Sequence, residues 1–250
     1  MTAEVSTEQL KSLLVPAAVL RWLARGFTYP HPGHIELLQQ EATPLDRPGL
    51  SPESRTALEA ALALLSDCTE EELAGEHIRL FTAKGVCSLH ETAYGDGRRM
   101  GGQPVELADI GGFYKAFGLE PSPAQPDLPD HLCMELEFYS LVLVKQAYAL
   151  AEGWSEQAEI AAQAGEKFLV EHLGRWIPPL VASIREQAGA ESWHAAIGQL
   201  LQSVIADECT RLGVTPQPFS ARMVADEEVT GDTFTCPRDE IQDDSSAPLV

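Results

Sequence analysis

A chain of 250 residues is long enough to bury a sizeable core, as one large domain or two small ones. Its 38 acidic side chains against 17 basic ones leave a formal net charge of −21. This excludes phosphate tracking along nucleic acid, disfavours anionic lipid and favours cationic partners. The cysteines at 68, 87, 133, 209 and 236 stand singly and are odd in number, which argues against a disulfide framework or a zinc knuckle.

In chain order, Ser6 with Gln9 opens a capping pattern, and Leu10, Leu13, Leu14, Ala17 and Ala18 follow at helical spacing. Pro16 falls inside that run and predicts a kink. Helical periodicity resumes over Ala17 to Phe27. Pro32-Gly33 reads as a turn, with a short helix after it through Leu38. Ser51-Pro52-Glu53 combines an N-cap, a first-turn proline and a first-turn acid, and Leu58, Leu62 and Leu65 form the apolar face behind it. Thr69 with Glu72 is a second capping box, leading through Leu73 and Ile78 to a terminal Leu80-Phe81. Residues 82–104 are rich in glycine and short of periodicity, which is the pattern of a functional or mobile loop.

Val105 to Phe117 predicts a helix stopped at Gly118. The connector 119–129, with prolines at 121, 123, 126 and 129, is stiff and extended. A long helix from Asp130 to about Glu152 follows. Another runs from Ser155 through Leu173 and is broken at Gly174. Pro178-Pro179 begin a further one inside Trp176–Gln187, and Glu191 to Leu212 forms the last. Only Val229 to Phe234 shows a faint period of two, so the fold class is all-α. Residues 1–224 make the helical domain, and 225–250 form an acidic tail too poor in apolar groups to order. No basic leader with an apolar run opens the chain, and no apolar stretch reaches membrane-spanning length. A cytoplasmic protein without stable membrane insertion is the expectation, as a monomer or a dimer.

The central stretch is Pro126-Asp127-Leu128-Pro129-Asp130-His131. Pro129 fits a first helical turn, and Asp127 or Asp130 can cap the amides exposed there. Leu132, Leu136, Tyr139 and Leu143 make the lower face of the helix that follows. Helix-dipole electrostatics favours the Asp130 carboxylate at this end and disfavours a charged His131 unless Asp130 compensates.

Asp130-His131 with Glu135-Leu136-Glu137-Phe138 resembles the Pro-Asp-His-x-x-x-Glu-Leu-x-Phe signature of the TorD/DmsD/NarJ family. A second block, Leu80-Phe81 and then His90-Glu91-Thr92-Ala93-Tyr94, is similar to that family's Leu-Phe helix end and Ser/Glu-x-x-Tyr loop. The helical pattern agrees over roughly residues 8–215. Two departures stand out: His77 replaces a frequent aromatic, and the loop after Phe81 lacks prolines. The resemblance implies a multi-helix chaperone that holds the apo catalytic subunit of a molybdenum enzyme, and its twin-arginine leader, until the molybdopterin cofactor is inserted. It implies a client surface at His77, Leu80, Phe81, Glu91, Tyr94, Asp127, Asp130, His131 and Glu135. The wording of the His-Glu-Thr-Ala-Tyr block is closest to chaperones serving enzymes of dimethyl sulfide, chlorate or ethylbenzene.

Weighed as catalysis, the residues offer less. His90-Glu91 and His131 with Glu135 suggest a small helical metalloenzyme as the alternative reading, but neither pair is a complete zinc-ligand set. The expectation is no metal, no cofactor and no enzymatic activity. Gly95 to Gly102 does not follow a strand, so a phosphate cradle is not expected. Cys87 near His90 lacks an orienting partner. A binding module suits the apolar helix faces and the acidic surface better. Arg-Arg seeks carboxylates in bidentate fashion, and a leader's apolar region needs a groove.

Overall fold

The helix-start signals at Ser6, Ser51 and Thr69 are used as written. In the computed structural model, which describes residues 5–82, 86–95, 103–120, 128–189 and 191–219, α1 spans Thr7–Gly26 with Ser6 Oγ accepting from Gln9 N at 3.1 Å. The Ser51 hydroxyl caps α3 (Pro52–Asp67), and the Thr69–Glu72 box closes in both directions at α4 (Glu70–His77). Between α1 and α3 lies α2 (His34–Ala42), which continues past the expected end at Leu38 because Ala42 also reaches the core. Asp127, the Gly-rich stretch after Gly95, most of the proline connector and the acidic tail lie outside the described residues.

The remaining helices are α5 (Gln103–Ala116), α6 (Leu132–Ala151), α7 (Ser155–Phe168), α8 (Gly174–Ala188) and α9 (Trp193–Leu212). Among the described residues there is no strand, as the all-α composition requires. No described helix is long and apolar enough to cross a membrane. α6 is sandwiched between α1 and α7, while α9 packs on α3, α8 and α1. One continuous core results, with Trp22, Trp176, Trp193, Tyr94, Tyr139, Phe138 and Phe168 among its largest fully buried side chains. Directional ties cross it. Ser140 Oγ donates to Ala17 O at 2.8 Å between α6 and α1, and Ser51 and Ser54 both donate to Asp207 between α3 and α9.

Several boundaries differ from the sequence pattern. α1 runs through Pro16 without ending, because Leu13, Val15, Ala17, Leu20 and Leu23 are all buried around it. The Leu80-Phe81 end is a π turn over Ile78–Thr82, in which Ile78 points to solvent while Leu80 is buried. Gly174 does not break the chain. A second π turn (Leu169–Leu173) carries α7 directly into α8, and Gly174 has ordinary helical geometry. It is glycine for another reason: an added Cβ would lie 2.4 Å from Pro216 Cγ.

Pro178 and Pro179 likewise start no helix but sit inside α8. Without an N–H, Pro179 leaves the carbonyl of Arg175 unclaimed, and such a group needs another partner. Phe219 N supplies it at 2.8 Å, and the Phe219 ring stacks under the Arg175 guanidinium at 4.3 Å. The prolines thereby create the dock for the segment that leaves α9.

Candidate functional site

The two sequence blocks meet through their backbones. Leu132 N donates to Leu89 O at 2.8 Å and Glu91 N donates to Asp130 O at 3.0 Å, forming an isolated antiparallel bridge between His90 and His131. The imidazoles of those residues then stand edge to face, 5.0 Å apart.

Asp130 does not cap α6. Its carboxylate is 0% exposed and turns toward the other block. Oδ2 accepts from Thr92 N at 3.1 Å and Thr92 Oγ1 at 2.6 Å, and Oδ1 lies 3.1 Å from His90 Nδ1. The cap is His131, whose Nδ1 accepts from Cys133 N at 3.2 Å. The bridge explains this exchange of roles: pairing residue 130 with residue 91 directs the aspartate into the loop block and leaves the next side chain over the helix end. Burial alone would push the Asp130 carboxyl up, but the hydrogen bonds from His90 and Thr92 outweigh it and hold the group below the ordinary carboxylate range.

A second polar layer lies under the bridge. Glu91 is 1% exposed and accepts from His172 Nδ1 at 3.0 Å. Glu135, one turn into α6, accepts from Trp176 Nε1 at 3.0 Å. Burial, and then the neighbouring Glu91 charge, push the Glu135 carboxyl well above its usual range. Burial lowers His172 but the Glu91 and Asp109 carboxylates outweigh it and raise it. Tyr94 donates from its hydroxyl to Ser88 O and lays its ring against Trp176 at 5.6 Å. Tyr114 reaches across from α5 to Pro129 O at 2.6 Å. The described part of the 82–104 loop is therefore held by buried partners.

Leu80, Phe81 and His77 form a neighbouring apolar group. Leu80 is buried, and its carbonyl accepts from Cys87 N at 3.0 Å, which ties the helix end to the loop. Half-buried Phe81 packs edge to face on His77 at 5.0 Å, His194 at 5.3 Å and Phe27 at 6.4 Å. His77 takes over the aromatic role in this group, with Nε2 3.2 Å from Phe27 O. Burial is the main cause that pushes its pKa down to about 4.

The structure thus gathers Asp130, His131, Glu91, Tyr94 and Glu135 at one seam, with Leu80, Phe81 and His77 beside its loop; Asp127 lies outside the described residues. His172, Trp176 and Tyr114 were not singled out from sequence as site residues. His172 carried a faint signal, a titratable side chain inside an otherwise apolar helical run. The metalloenzyme constellation does not assemble: His90 faces Asp130, Glu91 faces His172, Glu135 faces Trp176 and His131 caps a helix.

The chain matches the family described as "Nitrate reductase delta subunit" over residues 47–182, a span containing both blocks. It is 31% identical over 148 residues to the chlorate reductase assembly chaperone protein of Ideonella dechloratans, covering 59% of this chain and 74% of that one. The selenate reductase assembly chaperone protein of Thauera selenatis is 30% identical over 148 residues, 58% of this chain and 72% of its own. With the perchlorate reductase assembly chaperone protein of Dechloromonas aromatica (strain RCB), identity is 25% over 202 residues, 78% and 88% of the two chains.

Proposed function

The chain belongs to the TorD/NarJ family of assembly chaperones, which are not enzymes, and on that premise we propose that it serves one molybdenum enzyme in the cytoplasm. It binds the apo catalytic subunit and its twin-arginine leader, and it keeps the subunit open to molybdopterin insertion before export. The observation that carries this reading is the bridge that joins the two motif blocks around buried Asp130.

The burial pattern supports a division of labour within that site. Asp130, Glu91, Glu135, Leu80 and Tyr94 are too deeply buried to touch a partner in this conformation. They act as positioning residues for the half-buried surface above them, formed by His90, His131, Phe81 and exposed Leu128. The acidic chain draws a cationic leader toward it, and Phe81 and Leu128 offer apolar contact to the leader's hydrophobic region.

Titration calorimetry with the leader peptide, and separately with the apo-subunit, tests the reading. His131→Asn keeps an acceptor at the cap position but removes the ring. It should leave the fold within about 1 kcal/mol of the natural protein and weaken client binding roughly tenfold. Phe81→Ala should weaken it at least as much. Undiminished affinity in both variants would place the client elsewhere.

A further inference from the structure

Beside the seam, a buried imidazole nitrogen has no aligned hydrogen bond and stands among half-exposed carboxylates. The π turn between α7 and α8 presents Glu171 and His172, and α5 brings Asp109 opposite them. One ligand atom from each of the three lies within 4.8 Å of the others. Side chains adjacent in sequence on a regular helix point in divergent directions, and the widened turn is where this geometry arises. His172 is 2% exposed. Its Nε2 makes no aligned hydrogen bond, and its nearest charged neighbour is Asp109 Oδ2 at 3.3 Å, an ion-pair contact that a cation between them would replace. The opposite ring nitrogen is held by the Glu91 carboxylate at 3.0 Å. A carboxylate on the far nitrogen is the usual arrangement behind a metal-bound imidazole, since it fixes the tautomer and leaves the other lone pair facing the ion.

We propose that Asp109, Glu171 and His172 Nε2 form a binding site for a divalent first-row transition cation such as Zn²⁺, with Glu91 as the residue that orients the imidazole. One nitrogen and two carboxylate oxygens suit Zn²⁺ or its neighbours, and they are too few oxygens for Ca²⁺. Asp109 and Glu171 are half exposed, so the ion has a path from solvent and water completes its shell. Lys167 now contacts Glu171 at 3.5 Å, and half-exposed pairs of this kind are weak enough for a cation to displace. None of the site's three ligands belongs to the His90, Glu91, His131 and Glu135 constellation considered from sequence, although Glu91 stands behind the imidazole. The site stands independently of the chaperone reading, and it is a binding site with no reaction assigned to it.

The test uses the full chain after chelator treatment, at a salt concentration that screens the acidic surface. Zn²⁺ is titrated against a chromophoric chelator, and Co²⁺ is added in a parallel experiment as the spectroscopic probe. One Zn²⁺ per chain is expected, with visible Co²⁺ bands and no thiolate charge-transfer band. Asp109→Asn and Glu171→Gln change half-exposed side chains and should keep the fold by circular dichroism. Each should weaken Zn²⁺ roughly tenfold or more, and the double variant should abolish the stoichiometric site. Absence of a stoichiometric Zn²⁺ in the natural chain would overturn the proposal. So would equal affinity in the double variant, or a thiolate band that moves the ion to a cysteine.

Discussion

The seam between α1 and α6 and the seam between the two motif blocks are both buried, yet they are held by different physics. The first is mainly apolar, with Leu20 and Leu23 of α1 and Leu136 of α6 fully buried and one directional tie, Ser140 to Ala17 O, across it. The second is lined by Asp130, Glu91, Thr92, Glu135 and His172, equally buried, and each group there depends on a particular partner. Apolar burial is proportional to area and tolerates reshaping. A buried carboxylate is tolerated only while its donors stay in place, because losing one strands the other. The chain therefore has an interchangeable half and an exacting half, and the surface proposed for the client rests on the exacting one.

Four experiments sharpen that contrast. Asp130→Ala should have the largest effect, about 4 kcal/mol in chemical denaturation, because Thr92 N and the His90 ring lose a buried acceptor. Asp130→Asn keeps the shape and should still cost about 2 kcal/mol. A cost below 0.5 kcal/mol in both, on the order of a surface substitution, would show that the polar seam is as forgiving as the apolar one.

The next effect is in pH. His77 is held down to about 4, below its unfolded value of roughly 6.5. A depressed folded pKa contributes stability that is present above the unfolded value and lost as pH falls toward the folded one. Between pH 7 and 4 this should remove up to about 3 kcal/mol. His77→Phe should flatten that part of the acid limb while keeping the edge-to-face packing on Phe81. A slope unchanged by this substitution would assign the acid loss to other groups.

Gly174→Ala comes third. Its Cβ would meet Pro216 Cγ at 2.4 Å and Leu169 O at 2.7 Å, so the segment leading to Phe219 must shift. We expect a loss of about 2 kcal/mol in denaturation midpoint analysis. A neutral result would mean that the 214–219 segment docks too loosely to matter. The smallest effect belongs to the apolar seam: Leu136→Met should change stability by about 1 kcal/mol or less. A larger loss there would erase the distinction between the two seams.

Much of the helical layout was legible because its signals are local. Ser6, Ser51 and the Thr69–Glu72 box mark helix starts whose geometry depends on residues within one turn. Gly118 stops its helix through a positive φ that needs no distant partner. The errors have the opposite character. Pro178-Pro179 and Gly174 read locally as a start and a break, but their meaning lies in Phe219 and Pro216, some forty residues away. Asp130 read as a cap for the same reason, since only its pairing with residues 90–92 turns it away from the helix it precedes.

What the sequence determined by itself, then, was the all-α class, most of the helix starts, the acidic character and the two blocks that mark the family. Periodicity, capping and charge are properties of neighbouring residues, and they survive in a one-dimensional reading. Only the tertiary structure decided which member of Asp130-His131 caps and which is buried, and that Glu91 answers to His172. It also decided that Asp109 comes to face Glu171 and His172. Those outcomes rest on contacts between residues about forty to eighty positions apart, and such pairings exist only after helix packing has brought the partners together.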